Sequence, residues 1–595
     1  MKDFIKNVFA TIVGIVVLML IVGIMGVISI VGMVASESAS TSLKDNSVFV
    51  ISLSGSLEER EPALDLLSAM TGGGTDGLGL DALTKAIAKA KENDEIKGIY
   101  IEAGAFSADT PASAEALRKA LADFKKSGKW IVAYGDNYTQ MTYYICSVAD
   151  KVYINPQGML DWHGLGGTPY FLKDMLAKFG VRYQLAKVGK YKSAPETMTA
   201  DGMSEPNREQ TLAYMNGLWK QMLEDVSASR KVSKEQLNAY ADGIVALEGA
   251  DRLVEMKLVD KTLYTNEVKK EIKKLLKIDD DESIRQVSLA EMKKLPESKK
   301  DKEGEEIAVY YAYGDIIDEV ASMASGGHSI VGSEVCKDLE ALAEDEDVKA
   351  VVLRVNSPGG SAYASEQIWN SVMNLKAKKP VVVSMGGYAA SGGYYISCAA
   401  DYIYAEPMTI TGSIGIFGMF PDVSGLLTDK LGVKFDEVKT NKHAEFGTLS
   451  RPFTEEELSY LNAYIERGYN LFRKRVADGR KMSVEAVEEI AQGRVWVASD
   501  AKRIKLVDEF GGINEALAKA AKLAKLDKYH AASYPREPET MEQFMKMLDG
   551  KGNNNYLDEQ MRLALGEYYA PFMYLKNINK QSAIQARMPY QIIIK

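Results

Sequence analysis

The feature that most constrains this chain is a pattern that occurs twice. Tyr143 to Pro156 reads Y-Y-I-C-S-V-A-D-K-V-Y-I-N-P. Tyr394 to Pro407 reads Y-Y-I-S-C-A-A-D-Y-I-Y-A-E-P, identical at seven of fourteen positions without a gap. Upstream, E-I-K-G-I-Y-I-E from Glu95 answers D-V-K-A-V-V-L-R from Asp347. Downstream, a stretch ending L-V-D at Asp260 answers one ending L-V-D at Asp508. Order and approximate spacing are kept, with a period of about 250 residues. That is a duplicated domain; solenoid repeats are far shorter. A chain of 595 residues also exceeds what a single core supports. The expected layout is an N-terminal segment 1–46, repeat one over 47–265, a charged linker over 266–306, repeat two over 307–526 and a C-terminal tail over 527–595.

Each repeat alternates short apolar, β-branched runs with helical patterns. Val348 to Val355 and Pro380 to Ser384 read as strands, and Ile96 to Glu102 and Trp130 to Ala133 are their counterparts. Continuously apolar strands are buried on both faces, which predicts an α/β fold. The linker is rich in Lys, Glu and Asp and reads as helical or mobile.

The N-terminus carries a second constraint. No charged residue occurs from Val8 to Ala35, a run of 28 residues. As a helix, such a run spans a hydrocarbon core of about 30 Å. A signal-peptide apolar region is only about 7–15 residues long, so an uncleaved anchor is expected, with cleavage after Ala35 as the alternative. Lys2 and Lys6 precede the run, and the first lysine beyond it is Lys44. The positive-inside rule then predicts a single-pass protein with a cytoplasmic N-terminus and the repeats on the far side.

Composition narrows the chemistry. A net charge of −10 gives no support to nucleic-acid binding. Three widely spaced cysteines, Cys146, Cys336 and Cys398, are neither a disulfide framework nor a zinc site, and the four histidines form no metal motif. In repeat two, however, two glycine-bearing turns follow two successive strands. They are N-S-P-G-G-S at Asn356 to Ser361 and M-G-G-Y-A-A-S-G-G-Y at Met385 to Tyr394. Ligands of open α/β sheets collect at the carboxyl ends of strands, so the two turns are expected to meet. Ser391 would stand at a loop-to-helix junction, where the amide of Gly392 lacks a helical partner. Gly360 would add a second amide, giving two donors for an oxyanion. Tight-turn glycines are the plainer explanation of either turn alone. Histidine is poorly supplied as a base for Ser391, whereas a buried lysine with a lowered pKa can serve.

Together these motifs resemble the long form of the signal peptide peptidase A (protease IV) family, within the ClpP/crotonase superfold. The resemblance covers nearly the whole chain. It implies an α/β fold of two tandem ClpP/crotonase-like repeats after an N-terminal transmembrane helix. A-A-S-G-G-Y, Ala389 to Tyr394, matches the nucleophile motif and gives Ser391. Y-K-S-A, Tyr191 to Ala194, matches the base motif and gives Lys192. S-P-G-G resembles the oxyanion strand and gives Gly360. T-G-S, Thr411 to Ser413, resembles the segment whose serine orients the lysine and gives Ser413. The resemblance further implies no metal or cofactor, a homotetramer, and remnant signal peptides or other apolar peptides as substrates. It implies a bacterial inner membrane location with periplasmic catalytic domains.

Aligning the repeats adds a separate inference. Gln140 stands opposite Ser391, Ser107 and Ala108 opposite Gly359 and Gly360, and Trp162 opposite Ser413. Repeat one has lost the serine machinery and kept Lys192, so the site is expected between the repeats. Lys442 aligns with Lys192 and is the alternative base, in the different context T-N-K-H-A. Two other classes stay in view. A crotonase-like acyl-CoA enzyme would need a basic CoA surface and an acidic catalytic residue. A catalytically dead membrane scaffold would need only the duplication.

Overall fold

The computed structural model describes residues 43–61, 77–296, 303–319, 328–536 and 584–588. The predicted anchor Val8–Ala35 lies outside the described residues. Among the described residues, no helix is long and apolar enough to cross a membrane.

Each repeat is built on its own largely parallel sheet. In repeat one the strands run Gly77–Gly79, Ser47–Glu58, Ile96–Ala108, Trp130–Tyr138, Lys151–Leu160 and Lys261–Thr262 across the sheet, all parallel. In repeat two the corresponding order begins Tyr529–Tyr534, Glu305–Tyr313, Val348–Ser357, Val381–Ala390. Val381–Ala390 then pairs with Tyr402–Ala405 near its start and with Ile410–Gly412 at its end. The apolar runs explain this layering. Val351, Leu353 and Val355 enter one core and Val352 enters another, so Val348–Ser357 is covered on both faces.

The helix Ile513–Ala524 covers one face of the repeat-two sheet through Ala516, Leu517, Ala520 and Ala521. Repeat one has the same device in Thr265–Leu276, whose Val268, Ile272 and Leu276 pack on Val48, Tyr100 and Val132. This corrects the expected linker at 266–306. Its lysines occupy the solvent side of an amphipathic helix, and one apolar residue per turn was enough to bury the other side. Further along, Arg285–Val287 pairs with Ser47–Phe49. The expected tail is also corrected at both described parts. Tyr529–Tyr534 is an edge strand of the repeat-two sheet, and Ile584–Arg587 enters a third sheet.

That third sheet joins the repeats. Its order is Ser329–Val331, Asp315–Ile317, Gly359–Ser361, Ile584–Arg587, Phe417–Asp422 and Arg182–Lys187. Arg182–Lys187 comes from repeat one and pairs antiparallel with Phe417–Asp422 of repeat two over six residues. Beneath the sheet a buried polar seam ties the repeats again. Arg354 donates to Glu59 at 2.6 and 3.2 Å and to the carbonyl of Met385 at 3.0 Å. Asn356 donates to Glu59 and Asp109 at 3.2 and 2.9 Å, and accepts from the amide of Tyr388 at 3.0 Å. Asn356 heads the glycine turn 356–361, so repeat one braces the turn from below. Both Glu59 and Arg354 are buried. Removing one charge of such a pair strands the other, at about 3–5 kcal/mol. Glu59→Gln should therefore lower the urea midpoint of unfolding by an amount corresponding to about that loss, and an unchanged midpoint would show the pair to be dispensable.

Candidate active site

Ser391 lies where Val381–Ala390 ends and the short helix Gly392–Ser397 begins. The strand runs beside Ile410–Gly412, and the Ser391 amide donates to the Gly412 carbonyl at 2.8 Å. The turn from strand to helix is sharp, so Ser391 adopts φ 55° and ψ −111°. A non-glycine residue in that region is strained by about 1–3 kcal/mol, and the surrounding ladder holds it there. Ser413, next along the neighbouring strand, also has a positive φ of 51°, with its amide on the Arg494 carbonyl at 2.6 Å.

Lys192 reaches this place from repeat one. After the cross-repeat strand Arg182–Lys187, the chain is pinned to repeat two by the Tyr191 amide, which donates to the Gln492 carbonyl at 3.0 Å. Gly493 permits the approach, since a Cβ there would stand 2.6 Å from the Lys192 backbone nitrogen. Gln210 secures the loop. Its amide donates to the Tyr191 carbonyl and to Ser193 Oγ, both at 2.9 Å, and accepts from the Val495 amide at 3.0 Å. Arg494 stacks over Tyr191 and donates to its hydroxyl at 3.0 Å. Sequence reasoning missed Gln210, Gly493 and Arg494. The only trace of them was the recurrence of the segment around Gly493 in the duplicated pattern.

The outcome is a fully buried amine. Lys192 Nζ lies 2.7 Å from Ser391 Oγ, and 3.1 Å from both the carbonyl and the hydroxyl of Ser413. No carboxylate is among these partners. Burial alone pushes the Lys192 amine well below the ordinary lysine range. Lys442 is elsewhere: its side chain is exposed, and an ion pair with Glu456 raises its pKa.

The glycine turn supplies the opposite wall. Gly359 has φ +106°, and a Cβ on it would stand 2.8 Å from the Gly392 nitrogen. A side chain on residue 359 would therefore collide with the Gly392 amide and with the Ala586 carbonyl oxygen, 2.0 Å from that point. Gly360 follows inside the third sheet, paired with Ile316 on one side and Ala586 on the other. Repeat one has no such opening. Gln140, buried at the equivalent helix start, accepts from the amides of His163 and Gly164 at 2.9 Å each. Trp162 is buried against Tyr143 and Trp219, and its indole N–H is spent on the Leu237 carbonyl at 2.9 Å.

Comparison with known proteins identifies the family. The model of peptidase family S49 matches residues 123–279 and again 373–527, once in each repeat. The chain belongs to peptidase family S49. Within repeat two, residues 308–412 also match the Clp protease model. Protease 4 of Salmonella typhi is 39% identical over 477 residues, which are 79% of this chain and 76% of that protein. The chloroplastic serine protease SPPA of Arabidopsis thaliana is 32% identical over 457 residues, 76% of this chain and 66% of that one. A putative signal peptide peptidase SppA of Enterococcus faecium is 36% identical over 200 residues, 33% of this chain and 58% of that one. The S49 protein is thus a serine peptidase, a hydrolase, with two S49 repeats in an α/β, ClpP-like fold. This answers the acyl-CoA and scaffold alternatives.

The buried amine has a thermodynamic signature. Its folded-state pKa lies below its unfolded value, so between the two the unfolded chain binds one more proton and stability rises with pH. Below the folded-state pKa the full cost of burying the charge is present. Lys192→Met should therefore raise the melting temperature at neutral pH, and the advantage over wild type should shrink as pH approaches the ordinary lysine value. A difference independent of pH would mean that the amine does not titrate abnormally.

Proposed function

We propose that the protein is a membrane-anchored endopeptidase in which Ser391 of repeat two is the nucleophile and Lys192 of repeat one the general base. The observation that carries this reading is the 2.7 Å approach of a fully buried, carboxylate-free amine to Ser391 Oγ. A neutral amine accepts the hydroxyl proton as Oγ attacks a peptide carbonyl. The oxyanion that forms is met by the amides of Gly360 and Gly392. Lys192 then passes its proton to the leaving amine, and water resolves the acyl-enzyme. Ser413 holds the amine in line from its other side. Every step is supplied by side chains and amides of the chain itself.

The substrates we infer are remnant signal peptides and other apolar peptides at the membrane. Two things support this: the uncharged run Val8–Ala35, which would tether the peptidase to a bilayer, and the name of the Enterococcus relative, a putative signal peptide peptidase. The same run and the lysine asymmetry around it support a bacterial inner-membrane protein with its repeats in the periplasm.

The reading is tested with an apolar signal-peptide-like substrate. Ser391→Ala should abolish hydrolysis. Lys192→Met should lower kcat/KM by about 10²–10⁴-fold, and Lys442→Met should leave it near wild type. An active Lys192→Met protein with a dead Lys442→Met protein would move the base to repeat two. For wild type, kcat/KM should fall as pH falls through the Lys192 pKa, because the protonated amine cannot accept.

Self-association into a homotetramer is part of this reading. G-V-R-Y at Gly180 opens the segment that docks repeat one onto repeat two, and G-V-K-F at Gly432 is its counterpart in repeat two. The counterpart has no such strand partner among the described residues and exposes Leu431, Phe435, Val438 and Leu449. Docked on repeat one of another copy, it would form a head-to-tail contact of the kind that closes rings. Phe435→Asp combined with Val438→Asp should reduce the mass found by light scattering to that of a single chain; an unchanged mass would rule this contact out.

A further inference from the structure

The lysine loop rests on a short segment of repeat two, residues 491–495, main chain against main chain. The Tyr191 amide donates to the Gln492 carbonyl at 3.0 Å. A Cβ on Gly189 would stand 2.5 Å from that carbonyl oxygen, and one on Gly493 would stand 2.6 Å from Lys192 Cβ. The segment is fixed within repeat two. Its Gln492 amide donates to the Tyr469 hydroxyl at 3.1 Å, and its Gly493 amide to the Ile414 carbonyl at 2.8 Å. Arg494 of this segment meets both neighbours of the amine. The Arg494 carbonyl accepts from the Ser413 amide at 2.6 Å, and Ser413 is the residue whose carbonyl and hydroxyl hold Lys192 Nζ. The Arg494 side chain meets the residue before Lys192. One guanidinium nitrogen donates to the Tyr191 hydroxyl at 3.0 Å and pairs with Glu209 at 3.0 Å. The Tyr191 hydroxyl in turn donates to Glu209, whose two oxygens lie at 3.1 and 3.2 Å. The guanidinium also lies over the rings of Tyr191 and Trp496, 4.9 and 4.4 Å from their centroids. Exposure falls along these contacts: Glu209 is exposed, Arg494 half-buried, Tyr191 buried and Lys192 fully buried.

We propose that Arg494 is a positioning residue for the reaction, joining Tyr191 to Ser413 across the repeats and so holding the Lys192 amine in line and out of water. The inference rests on the Ser391–Lys192 reading and adds to it a group on which the base depends. Arg494 touches no reacting atom; it acts through its two neighbours. A planar guanidinium suits this place, because one plane can stack on rings while its edge donates to a hydroxyl and a carboxylate. An ammonium can donate but cannot cover the rings as a plane. The charged and titratable groups packed about the loop are Lys190, Glu196 and Glu209, with Tyr469, Arg473 and Glu488 behind the 491–495 segment. None of these is among the partners of the Lys192 amine in the described residues, so dryness is what keeps it neutral. Removing the Arg494 side chain opens the rim beside Tyr191 to water. Hydration favours the charged amine, and its pKa rises towards the ordinary lysine value. Protonated lysine cannot accept from Ser391, so activity is lost in a pH-dependent way.

The test is the pH profile of hydrolysis of an apolar signal-peptide-like substrate by the full-length protein in detergent, with the melting temperature measured alongside. Arg494→Ala should move the acid limb of kcat/KM up by about one pH unit, which is about a tenfold loss on that limb. KM should change little, and the deficit should close as pH rises. Arg494→Lys, which can still donate to Tyr191 and Glu209, should move the limb less. A limb that stays in place in Arg494→Ala overturns the inference, whatever the drop in kcat or melting temperature, because loss of a merely structural contact gives that result. Arg494→Lys displaced as far as Arg494→Ala also overturns it. Should Arg494→Ala fail to fold, Tyr191→Phe keeps the ring, loses the clamped hydroxyl and should move the limb the same way; an unmoved limb there overturns the inference too. In these cases the proposed function stands. A wild type without an acid limb, together with an active Lys192→Met protein, overturns the Ser391–Lys192 reading and this inference with it.

Discussion

The structure depends on keeping one amine dry. Lysine is a useful base near neutral pH only if its charged form is made costly, and water would remove that cost. Among the described residues, Lys192, the base we propose, has polar contacts from Ser391 and Ser413 and none from a carboxylate that would restore the charge. The site is correspondingly expensive to assemble. A cross-repeat strand, a glutamine bridge and a stacked arginine all serve to seal one side chain of repeat one inside repeat two.

Duplication made that sealing available. Here the repeat-one segment Arg182–Lys187 docks on Phe417–Asp422 of repeat two. In repeat one the equivalent positions are filled by Gln140 and Trp162, each hydrogen-bonded to main chain. The buried Glu59–Arg354 pair shows how closely the repeats are joined. It fixes Asn356, and through it the turn that carries Gly359 and Gly360. Repeat one therefore contributes to both walls of the site.

Much of this was legible in one dimension. The doubled motif announced two α/β units, because buried parallel strands read as apolar runs. Ser391 and Gly360 stood out because sharp turns and close main-chain approach demand glycine-bearing motifs. The charged stretch after Thr265 is helical, one of the two states its composition predicted, but its packing was hidden, because Val268, Ile272 and Leu276 are few among many lysines. Only the sheet they pack on shows that such a sparse stripe is enough. Gln210 and Arg494 were invisible for a different reason. The contacts that tie them across the repeats, Gln210 to Val495 and Arg494 to Tyr191, span hundreds of positions, and a polar residue far from a motif carries no signal of what it will touch.

The sequence by itself determined the duplication, the strand and helix periodicities, and which residue types stand at the ends of which strands. These are local properties, set by alternation, turn chemistry and propensity. Tertiary structure alone decided which of two aligned lysines faces the serine: Lys192 is buried beside Ser391, while Lys442 is exposed and paired with Glu456. It also decided that Ala586 lies at the oxyanion turn. Both outcomes depend on docking between segments remote in the chain. The energy of docking comes from matching surfaces, which no local pattern encodes.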